Sequence, residues 1–212
     1  MTGTPCVLSV ADHAGWAYVL GVAAAGHRPA VVERRTVTLI EAGLPTLPYH
    51  HESLRLQVDA ADALIARVRR SIAECAAQAL REVVTNLAPA YPVVALAIRE
   101  PPFPELPDTV AKVRPSYRLQ CAADGMMHQL ALCRAARDLG LEVDQYRRGE
   151  ETARVAARLE VHPEDIASFV SGAGRPSGPP WTQEHRRAFA AGIAALAARA
   201  PRLIGRVLDW PQ

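Results

Sequence analysis

The first forty residues alternate between apolar runs of strand length and short polar turns. Residues 7–11 form an apolar run that ends at Asp12, and a second apolar segment over 16–24 follows the turn His13-Ala14-Gly15. The third stretch, residues 30–40, is dense in Val, Thr and Ile, whose β-branched side chains favour extended backbone. Because the turns are short, this pattern predicts three strands in an antiparallel meander.

A long helix is predicted after the proline-punctuated loop over residues 43–51. Its apolar residues recur at spacings of three and four, which makes one face of an amphipathic helix. They are Leu54, Val58, Ala61, Ile65, Val68, Ile72, Ala76, Ala79 and Val83. Proline cannot continue a helix, so Pro89 bounds this one and the predicted span is 53–87.

A strand–helix–strand unit is predicted next. Residues 92–98 are a continuous apolar run, which is typical of a strand buried on both faces. Ser116 can cap a helix over 117–139 that closes at Gly140, and residues 141–146 alternate as a short strand. Such a unit implies a parallel pair of strands joined by a right-handed crossover.

The rest of the chain predicts connecting loops and further helices. In chain order these are a proline-rich loop over 101–115, a helix over 149–160, a short helix starting near His162, a Gly/Pro/Ser-rich loop over 171–180, a helix over 183–199 capped by Thr182, and an apolar tail over 202–212 that docks on the body.

Composition indicates a folded protein rather than a disordered or membrane-embedded one. Half of the 212 residues are apolar, so a sizeable core can form. No apolar run reaches the roughly 20 residues of a membrane helix, and the first residues lack the basic region of a signal peptide. These features predict a cytoplasmic protein. The four cysteines lie far apart without a CxxC pair, which predicts reduced core thiols.

The formal net charge is only +2, and arginine supplies nearly all of the positive charge, since Lys112 is the only lysine. Arginine suits bidentate contact with phosphate. The candidates for a nucleic-acid-binding face are Arg67, Arg70, Arg147, Arg148, Arg186 and Arg187, with Arg69 beside the first pair. A charge-balanced solvated surface is the alternative, because Glu150, Glu151 and Glu184 lie alongside, and coding bias also explains the arginine content.

Three segments resemble the RuvC-like Holliday-junction resolvases. Residues 7–17, with Asp12 at the end of an apolar strand and Gly15 soon after, resemble the first strand of that family. Residues 93–100 resemble the fourth strand, which ends in a catalytic glutamate, and 119–143 resemble the helix and strand that follow. The similarity covers roughly residues 6–200.

This resemblance implies an α/β protein with a ribonuclease H-like fold. We therefore expect a mixed five-stranded sheet, with three antiparallel strands and then two parallel ones, flanked by helices. We expect one such domain over residues 1–212, with a C-terminal helical extension over about 160–212.

The sequence departs from the family at two places that matter for chemistry. The family's fourth strand ends in Ala-Ile-Glu, whereas here Ile98 is followed by Arg99 and then Glu100. One residue turns a strand side chain to the other face, so either the strand carries a bulge or Glu100 points away from Asp12. The family's last helix carries an Asp pair near its start, whereas residues 182–187 contain none, and the usual lysine-rich segment before that helix is missing.

Phosphodiester hydrolysis on this fold uses two divalent ions about 4 Å apart, which require several carboxylates. The resemblance therefore predicts Asp12, Glu100 and Glu184 as ligands of Mg²⁺ or Mn²⁺, with His185 as a further catalytic candidate. Each has a structural alternative: Asp12 as the cap of a turn, Glu100 as a solvated charge, and Glu184 as a favourable charge at a helix N-terminus.

Two smaller polar groups are further candidates. His50-His51-Glu52 could bind a metal or activate water, or it could be a polar lead-in to the long helix with Ser53 as its cap. Asp124 and His128 lie one helical turn apart, which is ligand spacing but also common on exposed helix faces.

Two functional hypotheses follow. The first is a divalent-metal-dependent nuclease acting on DNA, and the resemblance implies branched or junction DNA and a homodimer. The second is a non-catalytic ribonuclease H-like subunit for nucleic-acid binding or protein assembly, paired through the helix over 53–87. The missing Asp pair and the displaced Glu100 favour the second hypothesis.

Overall fold

The structure, a computed structural model, describes residues 3–174 and 178–204 and is built around one five-stranded sheet. The strands are β1 (Cys6–His13), β2 (Trp16–Ala25), β3 (Arg28–Thr38), β4 (Val93–Arg99) and β5 (Glu142–Tyr146). The helices are α1 (Val58–Leu87), α2 (Val110–Val113), α3 (Tyr117–Asp138), α4 (Glu151–Leu159), α5 (Pro163–Gly172) and α6 (Gln183–Arg199), with short 3₁₀ turns at Glu52–Arg55 and Pro201–Leu203.

The predicted sheet is confirmed. Its strand order is β3-β2-β1-β4-β5, with β1 antiparallel to β2 and β2 antiparallel to β3. The pairs β1–β4 and β4–β5 are parallel. Since the carboxyl ends of parallel strands meet at one edge of a sheet, the last residues of β1, β4 and β5 lie side by side. We call this the carboxyl edge.

Strand β4 is regular up to its end, so the bulge that would have turned Glu100 toward Asp12 is not formed there. Arg99 lies opposite Tyr146 in the β4–β5 ladder. The register shift between β1 and β4 lies at their other end, between Cys6 and Val7.

Strand alternation divides the core into two layers. Leu8, Val10, Leu96 and Ile98 face α1 and α3, whereas the intervening residues, such as Val7 and Ala97, face α4, α5 and α6. Both faces of the central strands are therefore buried, which explains their continuous apolar sequence.

Helix α6 lies directly on β1 and β2 because Gly192 has no side chain. A Cβ at this position would come within 2.5 Å of Val22 Cγ2 and 3.2 Å of Ser9 Cβ. Ser9 also donates a hydrogen bond from its hydroxyl to the Ala188 carbonyl oxygen. The helix that carries Glu184 is thus held close to the strand that carries Asp12.

Gly192→Ala is expected to destabilise the protein by about 1–3 kcal/mol, because the added methyl overpacks this contact. Gly125→Ala in α3 is the matched control, since a Cβ there meets no atom of the described chain within 4 Å. Alanine is favoured over glycine in a helix by about 1 kcal/mol, so this control should gain stability. Urea unfolding of both variants measures the difference, and equal effects at the two sites would contradict the close approach.

Several predicted boundaries differ from the structure. The long helix begins at Val58 rather than at residue 53, because Glu52–Arg55 forms a separate 3₁₀ turn and the Ser53 hydroxyl donates to the Tyr49 carbonyl oxygen. The predicted loop over 101–115 contains α2, and α5 continues to Gly172, inside the predicted loop over 171–180. Residues 175–177 of that loop and 205–212 of the predicted tail lie outside the described residues.

All four cysteines are free thiols, as predicted, but they are not all in the core. Cys6 and Cys133 are buried, Cys75 is half-buried, and Cys121 is exposed because it lies on the solvent side of α3. None of the helices in the described ranges is long and apolar enough to cross a membrane.

Candidate functional site

A polar cavity of about 230 Å³ opens at the carboxyl edge, between the ends of β1 and β4 and the starts of α4 and α6. We call it the edge cavity. Its walls contain three carboxylates and three arginines in addition to apolar residues and two other polar side chains. It is lined by Val10, Ala11, Asp12, His13, Arg99, Tyr146, Arg148, Glu151, Glu184 and Arg187.

Asp12 lies at the inner wall of the edge cavity, and its side chain is only 5% exposed. Arg99 donates from Nη2 to Asp12 Oδ2 over 3.1 Å. Gln129 on α3 donates from Nε2 to Asp12 Oδ1 over 3.4 Å. Arg99 occupies the position where the resemblance placed a strand-ending glutamate, so an ion pair stands where two carboxylates were expected.

Glu184 lines the same cavity from the first turn of α6, so the structure brings this predicted residue near Asp12. Arg187 donates from Nη1 to Glu184 Oε1 over 3.1 Å, and Arg148 donates from Nη2 to the same oxygen over 3.5 Å. This carboxylate is therefore already neutralised by two guanidinium groups.

Glu100 does not line the edge cavity. Its side chain is about half exposed and accepts a hydrogen bond from Arg147 Nε over 3.3 Å. Its backbone N–H donates to the Tyr146 carbonyl oxygen, which continues the parallel ladder by one bond. Since β4 carries no bulge at this end, Glu100 belongs to a second groove described below.

His185 is buried but is not among the lining residues of the edge cavity. Its Nδ1 lies 2.7 Å from Thr182 Oγ1 and accepts the Thr182 backbone N–H, which completes a capping box at the start of α6. Its ring packs on Tyr18 at 4.0 Å between centroids. Burial and the Arg34 charge lower the pKa of His185, in keeping with a neutral imidazole that accepts a hydrogen bond. It serves helix capping in this arrangement.

Sequence reasoning missed four polar residues of the edge cavity, namely His13, Arg99, Tyr146 and Glu151. Glu151, at the start of α4, is buried and accepts the Gly149 backbone N–H at Oε2 over 3.0 Å. Tyr146 ends β5, and burial together with the Glu151 and Asp12 carboxylates raises its pKa, so its hydroxyl stays protonated. The available signal was their position directly at and after the end of a parallel strand.

These residues do not fit a pair of divalent ions. Two such ions bring four positive charges and require carboxylate oxygens that are free to ligate. The three carboxylates of the edge cavity are balanced by three arginines, and Arg99 and Arg187 hydrogen-bond directly to Asp12 and Glu184. Within the described residues, no group of three or more His, Cys, Asp or Glu side chains is arranged to hold a metal ion.

A second groove of about 550 Å³ lies beside the edge cavity, between the end of β4 and α3. We call it the α3 groove. It shares Arg99 and Arg148 with the edge cavity, so the two concavities adjoin along the carboxyl edge. It is lined by Arg99, Glu100, Pro101, Pro102, Cys121, Ala122, Gly125, Met126, Gln129, Arg147 and Arg148.

The predicted arginines separate into two groups. Arg147, Arg148 and Arg187 line one or both concavities at the carboxyl edge, together with Arg99. Arg67 and Arg70 are exposed on α1, and Arg186 is half-buried on α6 outside the cavity lining. Arg69 is used structurally, since it donates to the Tyr49 hydroxyl.

Asp124 and His128 are buried structural residues rather than an exposed pair. Asp124 accepts the backbone N–H groups of Tyr49 and His50 over 2.9 and 3.0 Å, which fixes the loop before α1 to α3. Burial, opposed by these hydrogen bonds, raises the pKa of Asp124 to about 7. His128 Nε2 accepts the Gly15 backbone N–H over 2.9 Å, which ties the β1–β2 turn to the same helix.

The cluster at His50-His51-Glu52 lies at the exposed end of this loop. The rings of His50 and His51 stack at 4.4 Å, and Cys121 Sγ lies 3.8 Å from His50 Nδ1. These side chains are not part of a metal-binding group among the described residues.

The strand order, the parallel and antiparallel pairing and the acidic residue at the end of β1 define a ribonuclease H-like fold, as predicted. Two structures of Thermus thermophilus RuvC share this fold with the chain. The first has 16% identity and a TM-score of 0.53, and the match covers 92% of this chain and 96% of that one. The second, solved in complex with a Holliday junction substrate, has 16% identity and a TM-score of 0.54, with 92% and 95% coverage.

No protein-family model matches the sequence, and no curated protein matches it significantly. The two RuvC structures confirm the sequence resemblance to RuvC-like resolvases at the level of the fold.

Proposed function

We propose that this protein binds branched DNA through the arginines of its carboxyl edge and does not hydrolyse it. The observation that carries this proposal is the Arg99–Asp12 ion pair. A guanidinium 3.1 Å from the buried carboxylate supplies the positive charge that a metal ion would otherwise supply. Arg99 thus stands where the resemblance placed a glutamate ligand. It also competes with a metal ion for the other expected ligand, Asp12.

The exposed arginines of the carboxyl edge support contact with phosphate. Arg99, Arg147 and Arg148 line the α3 groove, and their carboxylate partners are Asp12, Glu100 and Glu184 respectively. Arg147 and Arg148 have side chains that are 75% and 56% exposed, so their hydrogen-bonding nitrogens can reach a ligand. Arginine binds a phosphate group with two parallel hydrogen bonds, and the phosphates of a nucleic-acid backbone can accept them.

The fold is the reason for proposing branched DNA as the ligand. The Thermus thermophilus RuvC structure that this chain resembles holds a Holliday junction substrate. In this chain the exposed arginines lie at the same edge as Asp12, so DNA bound there would cover the edge cavity.

One specific observation favours the second candidate, the metal-dependent nuclease. Three carboxylates, those of Asp12, Glu151 and Glu184, line a single cavity. Mg²⁺ and Mn²⁺ prefer such oxygen ligands. For this activity Arg99 would have to leave Asp12 and Arg187 would have to leave Glu184, and Glu100 would have no part.

The two candidates are separated by one experiment with fluorescently labelled four-way-junction DNA. We expect wild-type protein to bind the junction in EDTA, and to leave it intact during incubation with Mg²⁺ or Mn²⁺. Asp12→Asn should bind at least as tightly, because it removes the negative charge that faces Arg99. Anisotropy measures binding and denaturing gels measure cleavage.

Cleavage by the wild type that is lost in Asp12→Asn would establish the nuclease instead. Absence of junction binding by the wild type would refute the binding proposal, and absence of cleavage as well would refute both candidates for this substrate. Glu184→Gln is the matched variant on α6, and under the binding proposal it too should retain affinity, because it frees Arg148 and Arg187.

The remaining expectations stay predictions. A homodimer, which the resemblance implied, can be checked by light scattering. A single ribonuclease H-like domain over residues 1–212 can be checked by limited proteolysis, and cytoplasmic location by fractionation.

A further inference from the structure

We infer that the α3 groove holds one unpaired nucleotide of a bound DNA strand. This inference rests on the proposed function, since it adds a base-binding position to the arginine contacts. The groove is about 550 Å³, within the range of about 300–1,000 Å³ that is usual for small-ligand sites. It adjoins the edge cavity and shares Arg99 and Arg148 with it, but its other lining residues differ.

The groove has an apolar floor that suits the face of a nucleobase. Pro101 and Pro102 border it on one side, and Ala122, Gly125 and Met126 border it on α3. A Cβ built on Gly125 would meet no described atom within 4 Å, so the helix is open to the groove at this point. The thioether of Met126 is polarizable and makes favourable contacts with aromatic rings.

The rim of the groove carries exposed guanidinium groups that can bind a nucleotide phosphate. Arg147 and Arg148 are 75% and 56% exposed there, whereas Arg99 is paired with the buried Asp12. The Arg147–Glu100 pair is solvent-exposed, with a 3.3 Å separation between Nε and Oε2. Exposed pairs of this kind contribute little to stability, so Arg147 can exchange Glu100 for phosphate.

Gln129 provides the observation that points to an unpaired base. It is 1% exposed and lines the groove, and its Oε1 has no hydrogen-bond partner among the described residues. Its Nε2 donates one N–H to Asp12, so Oε1 is the amide atom that is left without a partner. An unpaired base has free N–H donors on its pairing edge, whereas those of a paired base are already used. The orphaned acceptor is therefore matched by a free donor such as the ring N–H of an unpaired thymine.

Cys121 allows a direct test, because it lines the groove and is exposed, whereas Cys75 on α1 is half-buried and lies outside the groove lining. Alkylation of each thiol by iodoacetamide is followed by peptide mass spectrometry. We expect a single-stranded oligothymidylate to slow alkylation of Cys121 at least fivefold and to leave Cys75 unchanged. A blunt duplex of equal length, and an abasic strand with the same phosphates, should protect Cys121 less than twofold.

A second test uses a variant whose added side chain fills the α3 groove. Gly125→Leu is expected to weaken oligothymidylate binding at least tenfold in anisotropy, and a thermal melt by circular dichroism verifies that the variant is folded. Equal protection by the abasic strand, or unchanged affinity in folded Gly125→Leu, would overturn the inference.

The failure of this inference is distinguishable from failure of the proposed function. Junction binding by the wild type without protection of Cys121 would remove the base-binding groove and leave branched-DNA binding in place. No binding of junction or oligothymidylate by the wild type would remove both.

Discussion

Arg147→Ala/Arg148→Ala is expected to bind four-way-junction DNA about 10- to 100-fold more weakly than the wild type at about 100 mM salt. Both arginines follow the carboxyl end of β5, and their side chains are 75% and 56% exposed. Their present partners, Glu100 and Glu184, are held over 3.3 and 3.5 Å, which are long contacts for charge-assisted hydrogen bonds. Phosphate can therefore compete for both guanidinium groups.

The salt dependence of binding gives a more specific measure than affinity alone. Each arginine–phosphate contact that is lost should reduce the slope of log K against log salt by about 0.9, so the double variant should lose about 2 units. Anisotropy titrations over a range of salt concentrations measure this slope.

Arg81→Ala/Arg137→Ala is the matched control, with the same change in net charge. Both residues are exposed, but they lie toward the ends of α1 and α3, near the starts of β4 and β5 and therefore at the opposite edge of the sheet. We expect less than a threefold effect on affinity in this control. Equal losses in the two double variants would mean that net charge, and not the carboxyl edge, determines binding.

We expect the free energy of unfolding to depend on pH through the buried carboxyl of Asp124. Burial raises the pKa of this carboxyl to about 7, against an ordinary value near 3.8, although two backbone N–H groups oppose the shift. The rise corresponds to roughly 4 kcal/mol between the protonation states. The folded protein binds the extra proton between about pH 4 and pH 7, whereas the unfolded chain does not.

The sign of the effect follows from this difference in bound protons. The contribution of Asp124 favours the folded state at about pH 4, declines as the pH rises toward 7, and is constant above that value. Asp124→Asn cannot titrate. The free energy of unfolding of the wild type, minus that of Asp124→Asn, should therefore fall by roughly 3 kcal/mol between pH 4.5 and pH 8.

Asp144→Asn is the control with the opposite sign. Burial alone would raise the pKa of Asp144, but hydrogen bonds from Arg154 and Arg199 lower it overall. Its stabilising contribution is therefore present above the ordinary pKa and lost as the pH falls. Urea unfolding of the three proteins at several pH values tests both trends. A difference for Asp124→Asn that does not change with pH would contradict the assignment of a protonated buried carboxyl.

The secondary structure and the sheet topology could be predicted from the sequence because they depend on local patterns. The short turns around Gly15 and Gly26 allow only antiparallel pairing of the first three strands. The helix between β4 and β5 is long enough for a parallel crossover. The caps at Ser116 and Thr182 were also readable, because a hydroxyl before a helical pattern accepts a free backbone N–H.

The sequence pattern was less informative about the partners of polar side chains within the helices. His185 has the chemistry of a metal ligand, but the capping box at Thr182 uses its imidazole. Asp124 and His128 have the spacing of an exposed pair, but α3 is buried at both positions, and their partners are backbone groups more than 70 residues away in the sequence. Such partners leave no periodic signal in the sequence.

The sequence by itself determined the fold, the position of Asp12 at the end of the first strand, and the absence of Asp from residues 182–187 at the start of the last helix. Only the tertiary structure decided how these charges combine: Arg99 reaches Asp12, Arg187 reaches Glu184, and Glu100 lines a separate groove. The reason is physical. Backbone periodicity follows from neighbouring residues, whereas an ion pair across the carboxyl edge depends on which strand ends become neighbours and which way each last side chain turns.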